Sequence, residues 1–290
     1  MIAHTKSRVA SFDGTDLAAY TVGSVGPWLC LSNGLGGSLE AWRHLVNHFE
    51  PDYRILSWDY RGLYKSGKPA SPTDVGVEVQ ARDLLAVLDA AGVERAVHVG
   101  WSMGVQVLLE LYRIAPERVE ALVLIGGAAG KPLSTVFGGK PVAQLARPII
   151  DKLHQLEPFY RPFPPKVAAA RFLIPMLRLT GLFSPTVDTE VLKDLMGDYL
   201  GLDFDCYLAT LKALSEHDAS DVLANVTHPT LLVVGDKDLF TPPTVSEEMQ
   251  KRIAQSELLV VRGGTHYAPI EFPELINLRI AKFLRDRCAA

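Results

Sequence analysis

The 290-residue sequence predicts an α/β fold: a mostly parallel, doubly wound sheet of about eight strands with helices on both faces. Short apolar runs alternate with segments of helical spacing, which is typical of buried parallel strands. This alternation stops between residues 127 and 226, where no strand-like run occurs, and then resumes. We therefore expect a core formed by residues 1–126 and 227–290, with a helical cap at 127–226 inserted between two late strands.

The strands and helices of the core can be assigned in chain order. The turn residues Asp13-Gly14 indicate a hairpin between the first two strands. Predicted strands lie at 7–12, 17–22, 28–32, 54–58, 96–100, 121–126, 230–235 and 257–263. Predicted helices cover 38–48 with Ser38 as the cap, 77–92, 104–115, a segment opened by a capping box at Thr244 and Glu247, and 273–287.

Charge and cysteine content indicate which partners and which cellular compartment to expect. A net charge of −4 argues against nucleic acid as a partner. Three cysteines without CxxC spacing favour reduced thiols in a cytoplasmic protein, and the first residues carry no apolar signal-peptide region. The apolar run at 167–183 is too short and too charged to span a membrane, so no integral membrane association is expected. We interpret this run as the helix of the cap that covers the site. The oligomeric state is left open.

The stretch GWSMG, residues 100–104, follows a predicted strand and opens a predicted helix. Read as G-x-S-x-G, it indicates a nucleophile elbow, in which glycines allow a tight turn and Ser102 stands at a helix N-terminus. The alternative is a glycine-flanked turn with an incidental serine. The strand before and the helix after favour the elbow.

A serine nucleophile needs a base and an acid that orients the base. In this topology the acid and the histidine follow the serine in chain order, each after a later strand. His266 follows the last strand, and Asp236 and Asp238 follow the strand before it. We predict Ser102, Asp238 and His266 as the catalytic residues, with Asp236 as the alternative acid.

The loop after the third strand, SNGLGGS, is the candidate for the other half of the site. Its glycines let the backbone approach a substrate, and we predict an oxyanion hole formed by the backbone N–H groups of Leu35 and Met103. The glycine spacing does not fit a dinucleotide site, and no cluster has metal-ligand spacing. We therefore expect neither a cofactor nor a metal.

These motifs together resemble the α/β-hydrolase superfamily over the whole chain outside 127–226. The matching pieces are SNGLGG, DYRGLYKSG, GWSMG, GDKD and GGTHYAPIEFPE. Two positions depart from the family pattern: Asn33 stands where a histidine is frequent, and Tyr64 replaces the second glycine of D-x-R-G-x-G-x-S. The stretch LSN-x-LG is also similar to 3-oxoadipate enol-lactonases. A serine in place of an aspartate at 102 argues against dehalogenase and epoxide hydrolase chemistry.

The resemblance implies a cofactor-free serine hydrolase that acts on a small-molecule ester, lactone or related acyl bond. C–C bond hydrolysis, perhydrolysis and acyl transfer on the same triad remain open, as does a non-enzymatic ligand receptor. The substrate-binding residues predicted from position and apolar character are Asn33, Gly34, Trp101, Phe172 and Leu177.

The charges of the predicted cap are segregated along the chain. Residues 131–185 hold eight Lys or Arg and two acids, whereas residues 188–221 hold nine acids and two Lys. We interpret the two segments as halves of a cap that attract each other; the alternative is a basic surface that faces the ligand.

Overall fold

A computed structural model of the protein describes residues 2–71, 73–131, 163–164, 167, 169–175 and 182–288. Eight strands in these parts of the chain form a single sheet, as predicted. They are β1 (Thr5–Ala10), β2 (Asp16–Val22), β3 (Trp28–Ser32), β4 (Arg54–Trp58), β5 (Ala96–Trp101), β6 (Val119–Ile125), β7 (Thr230–Gly235) and β8 (Ser256–Val261).

The sheet order is β1-β2-β4-β3-β5-β6-β7-β8. β1 pairs antiparallel with β2, and β2 with β4, whereas every other neighbouring pair is parallel. Strands β5 and β7, each with a neighbour on both sides, are buried along their whole length. This agrees with their near-continuous apolar sequences, because a parallel strand covered on both faces has no polar side.

Helices cover both faces of the sheet. They are α1 (Arg43–Phe49), α2 (Val77–Ala90), α3 (Met103–Ile114), α4 (Thr189–Tyr199), α5 (Phe204–Glu216), α6 (Pro243–Arg252), the short α7 (Ala268–Glu271) and α8 (Pro273–Arg287). The apolar residues of α2, α3 and α6 belong to the core on one face. Those of α1 and α8 belong to the core on the other face.

The switch of helix face between β3 and β5 opens a crevice at the edge of the sheet. The chain leaves β3 towards α1 on one face, and it leaves the neighbouring β5 towards α3 on the other face. Ligands of open α/β sheets bind at such a switch point, beyond the carboxyl ends of the strands. The loops that stand there are SNGLGG after β3 and the Ser102 turn after β5.

Two helix starts differ from the sequence prediction. Ser38 precedes a 3₁₀ turn, Leu39–Trp42, but its side chain does not cap that turn, and its hydroxyl donates to Asp198 at 2.6 Å instead. The predicted capping box at Thr244 is also wrong, since α6 begins one residue earlier at Pro243 without a side-chain cap. Proline suits this position because its ring fixes φ and the first helical residue needs no donor.

Helices α4 and α5 lie in the insertion between β6 and β7. Each begins at an aspartate whose carboxylate accepts from backbone N–H groups of the first turn: Asp188 for α4 and Asp203 for α5. The described part of the predicted 167–183 helix forms a π-helical turn at Ala169–Leu173. Residues 132–162 and 176–181 lie outside the described residues, so the cap boundaries at 127 and 226 stay a prediction.

Candidate active site

The turn between β5 and α3 holds Ser102 in a strained backbone conformation. Ser102 has φ 55° and ψ −117°, in a region that side-chain-bearing residues rarely adopt. A Cβ on Gly104 would lie 2.1 Å from the Ser32 carbonyl oxygen, and one on Gly100 would lie 2.7 Å from Gly104. Both flanking glycines are therefore needed for the close packing of α3 against β3. Ser102 is presented at the N-terminus of α3, above the sheet edge.

The structure brings Ser102, His266 and Asp238 into one hydrogen-bonded chain. Ser102 Oγ lies 2.9 Å from His266 Nε2, and His266 Nδ1 lies 2.8 Å from Asp238 Oδ2. An ionised carboxylate can only accept, so Nδ1 carries the proton and donates to Asp238. The Nε2 lone pair is thereby left to accept from the Ser102 hydroxyl.

Asp238 is held by four donors. Besides His266, it accepts from the backbone N–H groups of Phe240 and Thr241 at 2.8 and 2.9 Å, and from the Thr241 hydroxyl at 2.8 Å. Burial raises the pKa of Asp238, but His266 and the Thr241 donors outweigh burial, so the pKa lies below its ordinary value. The carboxylate is therefore ionised and fully hydrogen-bonded.

Asp236, the alternative acid, occupies a different place. Its Oδ1 accepts from the Gly263 backbone N–H at 2.8 Å, a bond that ties the loop after β7 to the loop after β8. It makes no hydrogen bond to His266 in the described part of the chain. Contact with the histidine therefore distinguishes Asp238 from Asp236.

The loop that carries His266 is fixed from two sides. The Trp101 indole donates through Nε1 to the His266 carbonyl oxygen at 2.9 Å. On the other side, the buried Glu271 accepts from the Thr265 N–H at 2.7 Å and from the Ser184 N–H at 2.6 Å. The second of these bonds joins the loop to the end of the insertion.

The loop after β3 lies directly against Ser102. A Cβ on Gly34 would be 3.3 Å from the Ser102 Cβ, so the backbone approaches the serine closely. The N–H groups of Leu35 and Met103 donate to no acceptor among the described residues. Met103 directly follows Ser102 and Leu35 directly follows Gly34, and the oxyanion hole formed by their N–H groups stays a prediction.

Asn33 holds this loop in place through its side chain. Its Nδ2 donates to the Trp58 carbonyl at 2.8 Å, and its Oδ1 accepts from the Trp42 indole at 2.6 Å. The Asn33 side chain is buried and both its polar atoms are engaged. Its predicted contact with a substrate stays a prediction, as does that of Gly34.

The other predicted substrate-binding residues lie in different surroundings. Trp101 is buried, and its ring packs edge-on against Trp42 and Tyr267 beneath the site. Leu177 and the side chain of Phe172 lie outside the described residues. Contacts of all three with a substrate stay predictions.

Two contributors to the site were missed by the sequence analysis. Thr241 donates twice to Asp238, and its position three residues after the acid is a local signal that could have identified it. Gly126, after β6, has φ +52°, and a Cβ there would lie 3.4 Å from Asp238 Oδ2. A glycine at this point leaves room for the acid and the histidine.

Comparison with known proteins identifies the family to which this fold belongs. The family model described as alpha/beta hydrolase fold matches residues 27–273, which includes every element from β3 to the His266 loop. The chain belongs to the α/β-hydrolase fold family. The predicted family and fold are confirmed by this match.

Relatives of this α/β-hydrolase extend over most of the chain. The RutD protein of Agrobacterium fabrum, provisionally named a carbamate hydrolase, is 26% identical over 89% of this chain and 93% of its own length. A hydrolase structure from Pseudomonas aeruginosa is 26% identical, has a TM-score of 0.74, and matches 97% of this chain and 98% of its own. The predicted hydrolase class agrees with both relatives.

Two further structures share the fold at lower identity. An esterase from Thermogutta terrifontis has a TM-score of 0.78 at 22% identity, over 98% of this chain and all of its own. An enol-lactonase from Burkholderia xenovorans has a TM-score of 0.72 at 22% identity, over 96% of this chain and all of its own. In the described parts of this chain, no helix combines the length and the apolar character needed to cross a membrane.

Proposed function

We propose that this α/β-hydrolase is a serine hydrolase that cleaves a carboxylic ester, a lactone or a related acyl bond through an acyl-enzyme. The observation that carries the proposal is the hydrogen-bonded chain from Ser102 through His266 to Asp238. A serine hydroxyl is a weak nucleophile until a base removes its proton, and the base needs an acid that fixes its tautomer. The three residues fill these three roles.

In the first half of the reaction, His266 Nε2 takes the Ser102 proton as the oxygen attacks the substrate carbonyl. Asp238, ionised and buried, stabilises the imidazolium that forms. The carbonyl oxygen acquires negative charge, which the N–H groups of Leu35 and Met103 stabilise. The N-terminal position of Met103 on α3 adds the favourable end of the helix dipole.

In the second half, the imidazolium of His266 donates its proton to the leaving alcohol or amine, and the bond to the acyl carbon breaks. A water molecule then enters, His266 removes its proton, and the hydroxide attacks the acyl-Ser102 ester. Collapse of the second tetrahedral intermediate returns the proton to Ser102 and releases the acid. The chain of proton transfers is therefore closed without an external acid or base.

The insertion lies beside this site and is proposed to set substrate choice. The Phe183 ring packs against Tyr267 at a centroid distance of 4.6 Å, next to His266. The Phe240 ring, from the loop after β7, lies 5.0 Å from the His266 ring. These aromatic side chains near His266 favour an apolar acyl group, which the predicted contacts of Phe172 and Leu177 would extend.

A carbamate is a second candidate substrate, favoured by relatives that match about nine tenths of the chain. RutD proteins of Agrobacterium fabrum and Klebsiella pneumoniae, both provisionally named carbamate hydrolases, are 26% and 28% identical to it. Attack by Ser102 on a carbamoyl carbon needs the same base and the same oxyanion donors. C–C bond hydrolysis, perhydrolysis and acyl transfer would use the same three residues with a different bond or a different acceptor.

The experiment is a substrate panel of p-nitrophenyl esters, lactones, thioesters and carbamates, run with the wild-type chain and with Ser102→Ala. We expect turnover of at least one acyl class by the wild type and none above background by the variant. Turnover that persists in Ser102→Ala would contradict the proposal. Stoichiometric binding of a compound without turnover would instead favour a ligand receptor.

A further inference from the structure

The loop after β3 has four successive peptide carbonyls that all accept a hydrogen bond. The donors to the carbonyls of residues 33, 34, 35 and 36 are, in order, the Tyr60 hydroxyl at 2.5 Å, the Gly37 N–H at 2.8 Å, the Tyr199 hydroxyl at 2.9 Å and the Tyr64 hydroxyl. Three of the four donors are phenols: two come from the loop after β4 and one from the insertion. We call residues 33–37 the oxyanion turn, because Leu35 lies within it.

Tyr64 reaches the oxyanion turn from an unusual backbone position. Its φ of 50° is in the left-handed region, where glycine is favoured and a tyrosine is disfavoured. The family pattern also places a glycine there, so this chain departs from the pattern at a strained position. The Tyr64 hydroxyl, which donates to the Gly36 carbonyl, is the interaction that a glycine could not make.

Tyr199 reaches the same turn from the insertion. It is the last residue of α4, and its hydroxyl donates to the Leu35 carbonyl. A Cβ on Gly36 would lie 2.6 Å from the Tyr199 ring, so the ring packs directly on the Gly36 backbone. The preceding residue, Asp198, accepts from Ser38 at the other end of the loop. Helix α4 is thus attached to the middle of the oxyanion turn and to the residue that follows it.

Both phenols remain hydrogen-bond donors. Burial, with the neighbouring carboxylates Asp198 and Asp59, raises the pKa of Tyr64 well above its ordinary value. Burial and nearby tyrosines raise the pKa of Tyr199 in the same direction. Neither hydroxyl is therefore expected to ionise at a pH where the protein is folded.

The turn needs such restraint because glycines surround Leu35. Gly34, Gly36 and Gly37 lack a Cβ, so the peptides beside Leu35 can rotate at little cost. A peptide is planar, with its N–H opposite its C=O, so the Leu35 N–H takes its direction from the Gly34 carbonyl, which accepts from the Gly37 N–H. That Gly37 N–H lies in the peptide whose carbonyl accepts from Tyr64, and the peptide between them is held by Tyr199. That N–H has no other partner among the described residues.

We propose that Tyr64 and Tyr199 are positioning residues that hold the oxyanion turn, so that the Leu35 N–H points at the developing oxyanion. The assignment rests on the proposed function of Ser102 and Leu35. It makes the insertion a contributor to the rate of the chemical step, through Tyr199, as well as to substrate choice.

The test compares Tyr64→Phe and Tyr199→Phe with the wild type, since each change removes one hydroxyl and keeps the ring. With p-nitrophenyl butyrate we expect each variant to lose about tenfold in kcat, with KM changed less than twofold, because the interaction acts only in the transition state. Propyl trifluoromethyl ketone forms a tetrahedral adduct with a serine, so its affinity should fall by about the same factor as kcat/KM.

Tyr112→Phe is the matched control. The Tyr112 hydroxyl accepts from the Thr227 N–H at 3.0 Å and lies near His228, at the opposite end of α3 from Ser102. We expect this variant to lose thermal stability while it keeps kcat and ketone affinity. If the Tyr64 or Tyr199 hydroxyl acts only by stabilising the fold, its removal should have the same effects as Tyr112→Phe.

Three outcomes would overturn the assignment. Unchanged kcat and ketone affinity in both Phe variants would show that the turn needs no phenol. Losses that match the variants' lowered melting temperatures, and that vanish on cooling, would show a role in folding alone. If the wild type shows no turnover that Ser102→Ala abolishes, the proposed function itself is wrong. The wild-type assay identifies this case and separates it from the other two.

Discussion

The sheet edge around Ser102 and the described helices of the insertion are held in place by different kinds of contact. At the edge, glycine backbones approach other atoms closely, and the hydrogen bonds join buried or half-buried groups. Helices α4 and α5 instead meet the core partly through ion pairs, such as Arg43 with Asp194 and Lys68 with Asp203. Close packing fixes geometry to fractions of an ångström, whereas an exposed ion pair such as Lys68 with Asp203 contributes little stability and tolerates adjustment. The Arg43–Asp194 pair of α4 is more enclosed. The geometry of the edge is therefore fixed more tightly than the place of α5.

The acidic segment 188–221 makes several ion pairs with the core. Asp194, Asp203 and Asp221 pair with Arg43, Lys68 and Arg113, respectively, and Asp188 lies 2.9 Å from the His44 ring. The sequence led us to expect attraction between this segment and the basic segment 131–185. Most of the basic segment lies outside the described residues, so that attraction stays a prediction, but the core already provides a cationic surface for the acidic helices.

The largest effect is expected at the edge itself, from Ser102→Ala. Turnover should fall by about 10⁵–10⁶, because His266 and Asp238 act only through the serine oxygen. Stability should change little, since the variant loses one hydrogen bond, that to His266, and keeps the backbone of the turn. The measurement is kcat on the best substrate of the panel, together with a urea unfolding curve. A fall of less than tenfold would place the reaction elsewhere.

The second largest effect on kcat is expected from Asp238→Asn and not from Asp236→Asn. Asp238→Asn should lower kcat by about 10⁴, because an amide donating to Nδ1 favours the wrong histidine tautomer. Asp236→Asn is the control: it keeps an oxygen that can accept from Gly263 N–H, and kcat should change less than about threefold. Equal losses in the two variants would contradict the assignment of Asp238 as the orienting acid.

A buried histidine in β5, the strand before Ser102, predicts that the protein loses stability in acid. His98 is fully buried in β5, and burial lowers its pKa to about 4. In the unfolded chain the pKa of a histidine is about 6.5, so below that pH the unfolded chain binds a proton that the folded chain excludes. This part of the stability is therefore complete above about pH 6.5 and falls towards pH 4. Between pH 7.5 and 4.5 we expect His98 to account for a loss of about 2–3 kcal/mol in the free energy of unfolding.

The check is a series of urea unfolding curves over that pH range for the wild type and His98→Leu. The variant should lose less stability than the wild type on acidification, whatever its stability at pH 7.5. Parallel pH dependence in the two proteins would show that other groups cause the acid sensitivity. The ion pairs of the insertion do not interfere, because they are present in both chains.

The smallest effect is expected where the insertion meets the core. Arg43 pairs with Glu40 and Asp194, and Arg43→Met should lower the free energy of unfolding by about 1 kcal/mol while kcat changes less than twofold. The difference should shrink in 1 M NaCl, where screening acts over about 3 Å. A tenfold loss of kcat would mean that the ion pairs of the insertion control the reaction.

Residues at strand ends were predictable from the sequence. Ser102, Asp238 and His266 each follow a strand in a short motif, so the topology brings them together although 164 residues separate Ser102 from His266. Parallel strands end at one edge, and three local patterns therefore predict one site. The eight-strand sheet was predictable for the same reason, because each buried strand is a local apolar run.

Contacts between side chains of unrelated segments were not predictable. The Ser38 hydroxyl was expected to cap its own helix, but it bonds to Asp198, 160 residues away. Tyr64 appeared in the sequence only as a departure from the family pattern, and Tyr199 carried no motif. Their phenols meet the loop after β3 because of how α4 docks on the core, which depends on packing and charge rather than on local spacing.

The central claim is that Ser102 is the nucleophile, and covalent labelling tests it most directly. The protein is treated with a fluorophosphonate, and intact mass and peptide mapping locate the adduct. The account predicts one phosphonyl group per chain, on Ser102, formed in step with the loss of ester hydrolysis and much more slowly in Asp238→Asn. An unlabelled Ser102, or hydrolysis that continues after Ser102 is fully labelled, would contradict it.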